Sequence, residues 1–116
     1  MSEDSYRIEW TASSAVIATP AEIDVTNSAQ TRRALLAAVA RHPAVLIIDM
    51  SETTFCDSTG VEAIVAAYRQ AAAAGTQLRL VAPEIERILT LTGIGQVVPV
   101  HSTLAAAHAA AADGPR

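Results

Sequence analysis

The middle of the chain holds an unbroken run of aliphatic residues, Val45-Leu46-Ile47-Ile48, and this run constrains the fold more than any other feature. Turn-forming residues bound it, with His42-Pro43 before it and Ser51 after it. A strand that lacks a polar face has to be covered on both sides, as the central strand of a parallel sheet is. Since parallel strands are joined by crossover connections, usually helices, the run predicts a sheet flanked by helices.

Strand and helix patterns alternate on either side of this run. Strands are predicted at residues 6–11, 15–18, 45–48, 78–81 and 97–100, and residues 51–56 are predicted to be a loop. Pro99 favours an edge position for the last strand. Helices are predicted to begin at Asn27, Ser58, Pro83 and Ser102 or Thr103, and to end at His42-Pro43, Gly75, Gly93 and Asp113-Gly114.

The resulting order, β-β-α-β-α-β-α-β-α, predicts one α/β domain over residues 1–116 with its core at about 6–111. The sheet is expected to be mixed and largely parallel, starting with an antiparallel pair. The residues expected to be buried are Leu46, Ile48, Ile64, Val65, Leu78 and Leu80.

Charge and composition exclude several classes of function. The net charge is −4 and the only adjacent cations are Arg32 and Arg33, so nucleic acid is an unlikely partner. The chain contains no lysine, which a Walker phosphate loop, a Schiff base and a receiver-type phosphorylation site all require.

Cysteine content and hydropathy bear on where the protein works. The single cysteine, Cys56, cannot form an internal disulfide, which favours a reducing cytoplasm. The acidic start Met1-Ser2-Glu3-Asp4 argues against a signal peptide. No apolar stretch approaches the roughly 18 residues of a membrane span, so no membrane partner is expected.

The run Asp57-Ser58-Thr59-Gly60 marks the start of the predicted second helix. Asp, Ser and Thr are all preferred N-caps, and Thr59 with Glu62 matches a capping box, as Asn27 with Gln30 does at the first helix. With Thr59 as the cap, the Ser58 hydroxyl would remain free. A nucleophilic serine is a second interpretation, although no G-x-S-x-G elbow surrounds Ser58 and no histidine is obviously committed to it. The third interpretation is a phosphoacceptor serine.

The sequence around this run resembles a known family. Residues 45–51 (Val-Leu-Ile-Ile-Asp-Met-Ser) and 54–61 (Thr-Phe-Cys-Asp-Ser-Thr-Gly-Val) are similar to the signature of STAS domains, and more narrowly to anti-sigma factor antagonists (anti-anti-sigma factors). In those proteins an Asp-Ser-Ser/Thr-Gly motif carries a phosphorylated serine. Residues 22–25 and 89–94 are similar as well, so the resemblance covers about residues 6–111.

The resemblance implies a regulator of bacterial transcription rather than an enzyme. It implies that the domain binds an anti-sigma factor with serine kinase activity, that this kinase phosphorylates Ser58, and that a phosphatase reverses the reaction. Asp24, Asp57, Ser58, Thr59 and Gly60 would form the partner-binding surface. No metal or cofactor is implied, since ATP belongs to the kinase. A STAS scaffold or transporter-associated subunit without a phospho-switch is the alternative.

Other polar residues have simpler interpretations. Cys56 is expected to be a buried structural thiol, although a reactive thiol or a small hydrolase using Ser58 or Cys56 is a rival hypothesis. Asp49 is expected to fix its own loop, because the lysine of a receiver domain is missing. Asp24 is equally compatible with a turn or cap role. Ala21 and Thr59 replace the glycine and the second serine that are commoner in the family.

Overall fold

The computed structural model describes residues 6–112, which form a five-stranded main sheet and a separate two-stranded ladder. The main sheet has the order β1-β2-β4-β6-β7, in which β1 and β2 are antiparallel and all other neighbours are parallel. The ladder joins β3 to β5 in parallel. The strands are β1 Ile8–Trp10, β2 Ser14–Ala18, β3 Glu22–Ile23, β4 Val45–Asp49, β5 Phe55–Cys56, β6 Gln77–Val81 and β7 Val100–His101.

Four helices cover the two faces of the main sheet. Side chains of the first three helices share one large core with one face of the sheet, and α1 packs along α2. The fourth helix covers the other face, where a smaller apolar cluster lies between it and the sheet. The helices are α1 Ser28–Val39, α2 Ser58–Ala74, α3 Glu86–Leu91 and α4 Leu104–Ala112.

The central position of β4 explains its apolar sequence. Leu46 and Ile48 point into the large core, whereas Val45 and Ile47 point into the cluster under α4. Both faces are therefore covered, and the predicted central strand and mixed α/β fold are confirmed. Of the six residues expected to be buried, Val65 is only partly buried, because it lies at the margin of the face that α2 turns toward the core.

Several predicted boundaries were wrong. The last strand begins at Val100 rather than Val97, because a 3-10 helix occupies Ile94–Gln96 and both Val97 N and Val98 N donate back to Ile94 O, at 3.1 and 2.9 Å. The third helix begins at Glu86 rather than Pro83. The final helix is capped by Thr103, whose Oγ1 accepts from Ala106 N at 3.0 Å. Its predicted end at Asp113-Gly114 lies outside the described residues.

Candidate functional site

The start of α2 rests on the two-stranded ladder. Ile23 and Cys56 pair across the ladder and are buried, and Gly60 in the first turn of α2 lies directly against them. A Cβ on Gly60 would come within 2.6 Å of Cys56 Sγ and 2.8 Å of Ile23 Cγ2. The glycine therefore allows the helix N-terminus to pack closely on the ladder. Residues 55–56, predicted as loop, are the second strand of this ladder.

Asp57 is the N-cap of α2. Its Oδ1 accepts from Thr59 N at 2.9 Å, from Gly60 N at 3.2 Å and from the Thr59 hydroxyl at 2.6 Å. These groups, the Thr59 hydroxyl foremost, lower the pKa of Asp57 because they stabilise its charged form. The prediction that Thr59 is the cap was wrong: Asp57 already takes the free N–H groups of the first turn, and Thr59 lies inside the helix.

The two hydroxyls of the motif have different environments. Ser58, the first residue of α2, is exposed, and among residues 6–112 no side-chain hydrogen bond holds its hydroxyl. Thr59 is half-buried and its hydroxyl donates to Asp57. The Ser58 hydroxyl is therefore the one that is accessible, as expected, but Asp57 rather than a capping box holds Thr59 in place.

The loop that carries Asp24 lies beside Asp57. Asp57 N donates to Ile23 O at 3.1 Å, and the backbone N–H of Val25 contributes to lowering the pKa of Asp57. Asp24 is half-buried, and its Oδ1 accepts from Thr26 N at 2.9 Å. The structure thus brings Asp24 and Ser58 to the same end of the molecule, and it also gives Asp24 the turn role that the sequence left open.

Asn27 precedes α1 but its side chain does not cap the helix, so the predicted capping box was wrong. Its Oδ1 accepts from Asp24 N at 3.0 Å, and its Nδ2 donates to Glu22 O at 2.8 Å. Asn27 therefore fixes the loop between β3 and α1 instead.

Two apolar side chains beside Ser58 were not singled out by the sequence. Val25 has 73% of its surface exposed and Phe55 has 47%. Phe55 pairs with Glu22 across the ladder and points away from the core, opposite to Cys56. No sequence pattern marks Phe55 as exposed, because Phe55 and Cys56 are both apolar and two residues are too few to show the alternation of a strand.

The alternative nucleophiles are poorly placed. Cys56 is buried, and burial together with the charge of Asp57 raises the pKa of its thiol to about 11. The neutral thiol is thus favoured, as a structural role requires. Among the described residues no hydrogen bond joins Ser58 to a histidine, and His101 instead bonds to Arg79. Asp49 accepts from Ser51 N at 3.0 Å and so fixes its own loop, as expected.

Within residues 6–112, no three or more His, Cys, Asp or Glu side chains are grouped so that they would hold a metal ion. No helix in the same range is long and apolar enough to cross a membrane.

Comparison with known families decides what kind of domain this is. The family model described as STAS domain matches residues 7–107, nearly the whole chain. The chain belongs to the STAS domain family. No protein of curated function is similar enough to add to this assignment.

Solved STAS structures agree with the assignment. The structure titled as an anti-sigma factor antagonist from Mycobacterium paratuberculosis is 28% identical, with a TM-score of 0.81 and 93% of each chain covered. Bacillus SpoIIAA in its phosphorylated form is 22% identical, with a TM-score of 0.66 over 88% of this chain and 95% of that one. At that identity SpoIIAA supports the fold alone.

A structure from another class of protein is also similar in fold. A sulfate transporter family protein from Wolinella succinogenes is 18% identical, with a TM-score of 0.76 over 89% of this chain and 88% of that one. The STAS fold alone therefore does not separate an anti-sigma factor antagonist from a transporter-associated domain.

Proposed function

We propose that this STAS domain is an anti-sigma factor antagonist that works in the cytoplasm without enzymatic activity of its own. In this proposal it binds an anti-sigma factor that is also a serine kinase, and phosphorylation of Ser58 weakens the complex. A phosphatase restores the binding form. The observation that carries the proposal is the exposed, unengaged Ser58 hydroxyl at the first position of α2, beside a Thr59 hydroxyl that Asp57 holds.

The partner-binding surface is formed by the start of α2 and the adjacent loop. Ser58 and the half-buried side chains of Asp24, Asp57 and Thr59 lie on it. Gly60 is buried, so we assign it the role of shaping this surface rather than of touching the partner.

A phosphate on Ser58 would be poorly accommodated in such a complex. It adds about two negative charges next to the Asp57 carboxylate. The N–H groups of Thr59 and Gly60, which would otherwise stabilise an anion at a helix N-terminus, already donate to Asp57. The phosphate is therefore stable only where water solvates it, and burying it in an interface carries a desolvation cost.

The relative from Mycobacterium paratuberculosis supports this choice of function, because its title names it as an anti-sigma factor antagonist and it matches nearly the whole chain. The Bacillus SpoIIAA structure is titled as a phosphorylated form, so that protein, which has the same fold, carries a phosphate.

The test is site-specific labelling by the host's anti-sigma factor kinase. The unchanged protein, Ser58→Ala and Thr59→Ala are incubated with the kinase and ATP, and the phosphosite is located by mass spectrometry. We expect phosphate on Ser58 in the unchanged protein and in Thr59→Ala, and none in Ser58→Ala. Continued labelling of Ser58→Ala at Thr59 would show that the assigned acceptor is wrong.

The second candidate is a STAS subunit that assembles permanently with a transporter or scaffold. The similarity in fold to the Wolinella succinogenes transporter family protein favours it. A complex with a membrane transporter in the host that survives Ser58→Asp unchanged, with no Ser58 phosphate detected, would support this candidate over the first.

A further inference from the structure

Two exposed apolar side chains lie on the segments that adjoin the start of α2: Phe55 on the outward face of the β3–β5 ladder, and Val25 in the loop that follows β3. We propose that these two residues are the anchors that fit apolar recesses of the kinase partner, and that basic side chains of the partner surround those recesses. This inference rests on the proposed function and adds to it the residues that select the partner.

The geometry of the ladder places Phe55 on the partner side. Paired residues of neighbouring strands project from the same face, and successive residues project from opposite faces. Ile23 and Cys56 face Gly60 and the core, so Glu22 and Phe55 face outward. Phe55 lies in β5, the strand that leads directly into the start of α2 at Ser58.

Val25 lies in the loop between β3 and α1. The loop is fixed on both sides of Val25, because Asp57 N donates to Ile23 O at 3.1 Å and Ser28 N donates to Asp24 O at 2.8 Å. The Val25 side chain is 73% exposed even though hydrogen bonds tie the loop around it. A solvent-exposed apolar side chain on an ordered loop suits an anchor role, because the loop loses little conformational freedom when the partner binds.

The charges around the anchors indicate what the partner presents. Residues 22–28 and 55–62, which form this surface, contain four acidic residues, Glu22, Asp24, Asp57 and Glu62. Arg32 of α1 adjoins Thr59 and Glu62, and the surface still keeps a net negative charge. A partner surface with basic groups at its rim is complementary to this arrangement. An anionic membrane would be repelled by it, so we commit to a protein partner.

The test is calorimetric titration of the host's anti-sigma factor kinase with matched variants. Val25→Ser and Phe55→Ser remove the anchors, and Val97→Ser is the control, because Val97 is 53% exposed and lies before β7, away from the ladder. We expect Phe55→Ser to weaken binding about tenfold or more and Val25→Ser several-fold, as anchor residues do, with Val97→Ser within about twofold. Phe55→Leu should retain most of the affinity. Thermal melting checks that every variant is folded.

Titrations at several NaCl concentrations and a charge variant test whether basic side chains of the partner surround the recesses. We expect affinity to fall as NaCl increases, and Glu22→Gln to reduce that salt dependence. If the unchanged protein binds and is labelled at Ser58 while Phe55→Ser and Val25→Ser bind equally well, the anchor assignment is wrong and the proposed function stands. If the affinity does not change with NaCl concentration, the proposal that basic side chains of the partner surround the recesses is wrong. If the kinase neither binds nor labels the unchanged protein, the proposed function fails and the anchors with it.

Discussion

At the scale of single residues, the Asp57 carboxylate organises the candidate site. It caps α2 and holds the Thr59 hydroxyl, which leaves Ser58 as the accessible hydroxyl. The backbone N–H of the same residue donates to Ile23 O and so joins the two segments that form the surface. This arrangement gives the acidic residue before Ser58 a structural role.

The sequence predicted a helix start at this motif but not which residue caps it. Asp57, Ser58 and Thr59 are all good N-caps, and local preference does not rank them when they are adjacent. The ladder decides, because the bond from Asp57 N to Ile23 O fixes Asp57 at the end of β5. That contact joins residues far apart in the sequence, so a local pattern contains no sign of it.

Gly60 gives a stability prediction at this scale. Gly60→Ala should lower the free energy of unfolding by about 1–3 kcal/mol, because the new methyl overlaps Cys56 Sγ and Ile23 Cγ2. Gly95→Ala is the matched control, since its Cβ would meet only Val100 Cγ2, at an ordinary 3.8 Å. Urea unfolding of both variants gives the comparison. Equal losses would mean that α2 does not pack closely on the ladder.

His101 gives a prediction of pH dependence. Burial and the adjacent Arg79 lower its pKa, and its Nε2 lies 3.1 Å from Arg79 Nη1, where the neutral ring accepts a hydrogen bond. The unfolded chain takes up this proton at a higher pH than the folded one. Stability is therefore greatest above the ordinary pKa of 6.5 and falls as the pH decreases below it.

The measurement is urea unfolding at about pH 7.5 and about pH 5.5 for the unchanged protein, His101→Gln and His108→Gln. Glutamine can still accept from Arg79 but does not titrate in this range. His101→Gln should lose less stability on acidification than the unchanged protein. His108 is exposed on α4, so His108→Gln should behave like the unchanged protein. The same acid sensitivity in all three would exclude His101 as its source.

At the scale of elements, the apolar periodicity predicted the long helices and the central strands well. The faces of α2 and β4 extend over enough residues for the pattern to be clear, and both elements lie where expected. The ladder strands β3 and β5 have two residues each. Two residues are too few to show the alternation of apolar and polar side chains by which a strand is recognised. The pairing of the two strands depends on the approach of segments about 30 residues apart, and sequence patterns do not show it.

The α2 helix gives the second stability prediction. Ile64→Ala should cost about 2–4 kcal/mol, because Ile64 is 1% exposed in the large core and truncation leaves a cavity. Val65→Ala should cost clearly less, since Val65 is only partly buried at the edge of the same face. Denaturant melts of both variants check this. A larger loss for Val65→Ala than for Ile64→Ala would mean that the helix is rotated relative to the core.

At the scale of the whole molecule, the candidate switch lies outside the main core. The large core is formed by the main sheet with α1 to α3, whereas Ser58, Val25 and Phe55 are exposed at one end. A charge added at residue 58 is thus expected to change partner affinity more than fold stability. We therefore expect phosphorylation to change how well this surface binds the partner, without a change of fold.

The most direct test of this account is calorimetric titration of the host's anti-sigma factor kinase with three forms of the protein. Ser58→Ala should bind most tightly, Ser58→Asp more weakly because it adds one negative charge beside Asp57, and Ser58-phosphorylated protein most weakly because it adds about two. Thermal melting of each form should show little change. Equal affinities for Ser58→Ala and the phosphorylated protein would contradict the account and leave Asp57-Ser58-Thr59-Gly60 as a simple helix start.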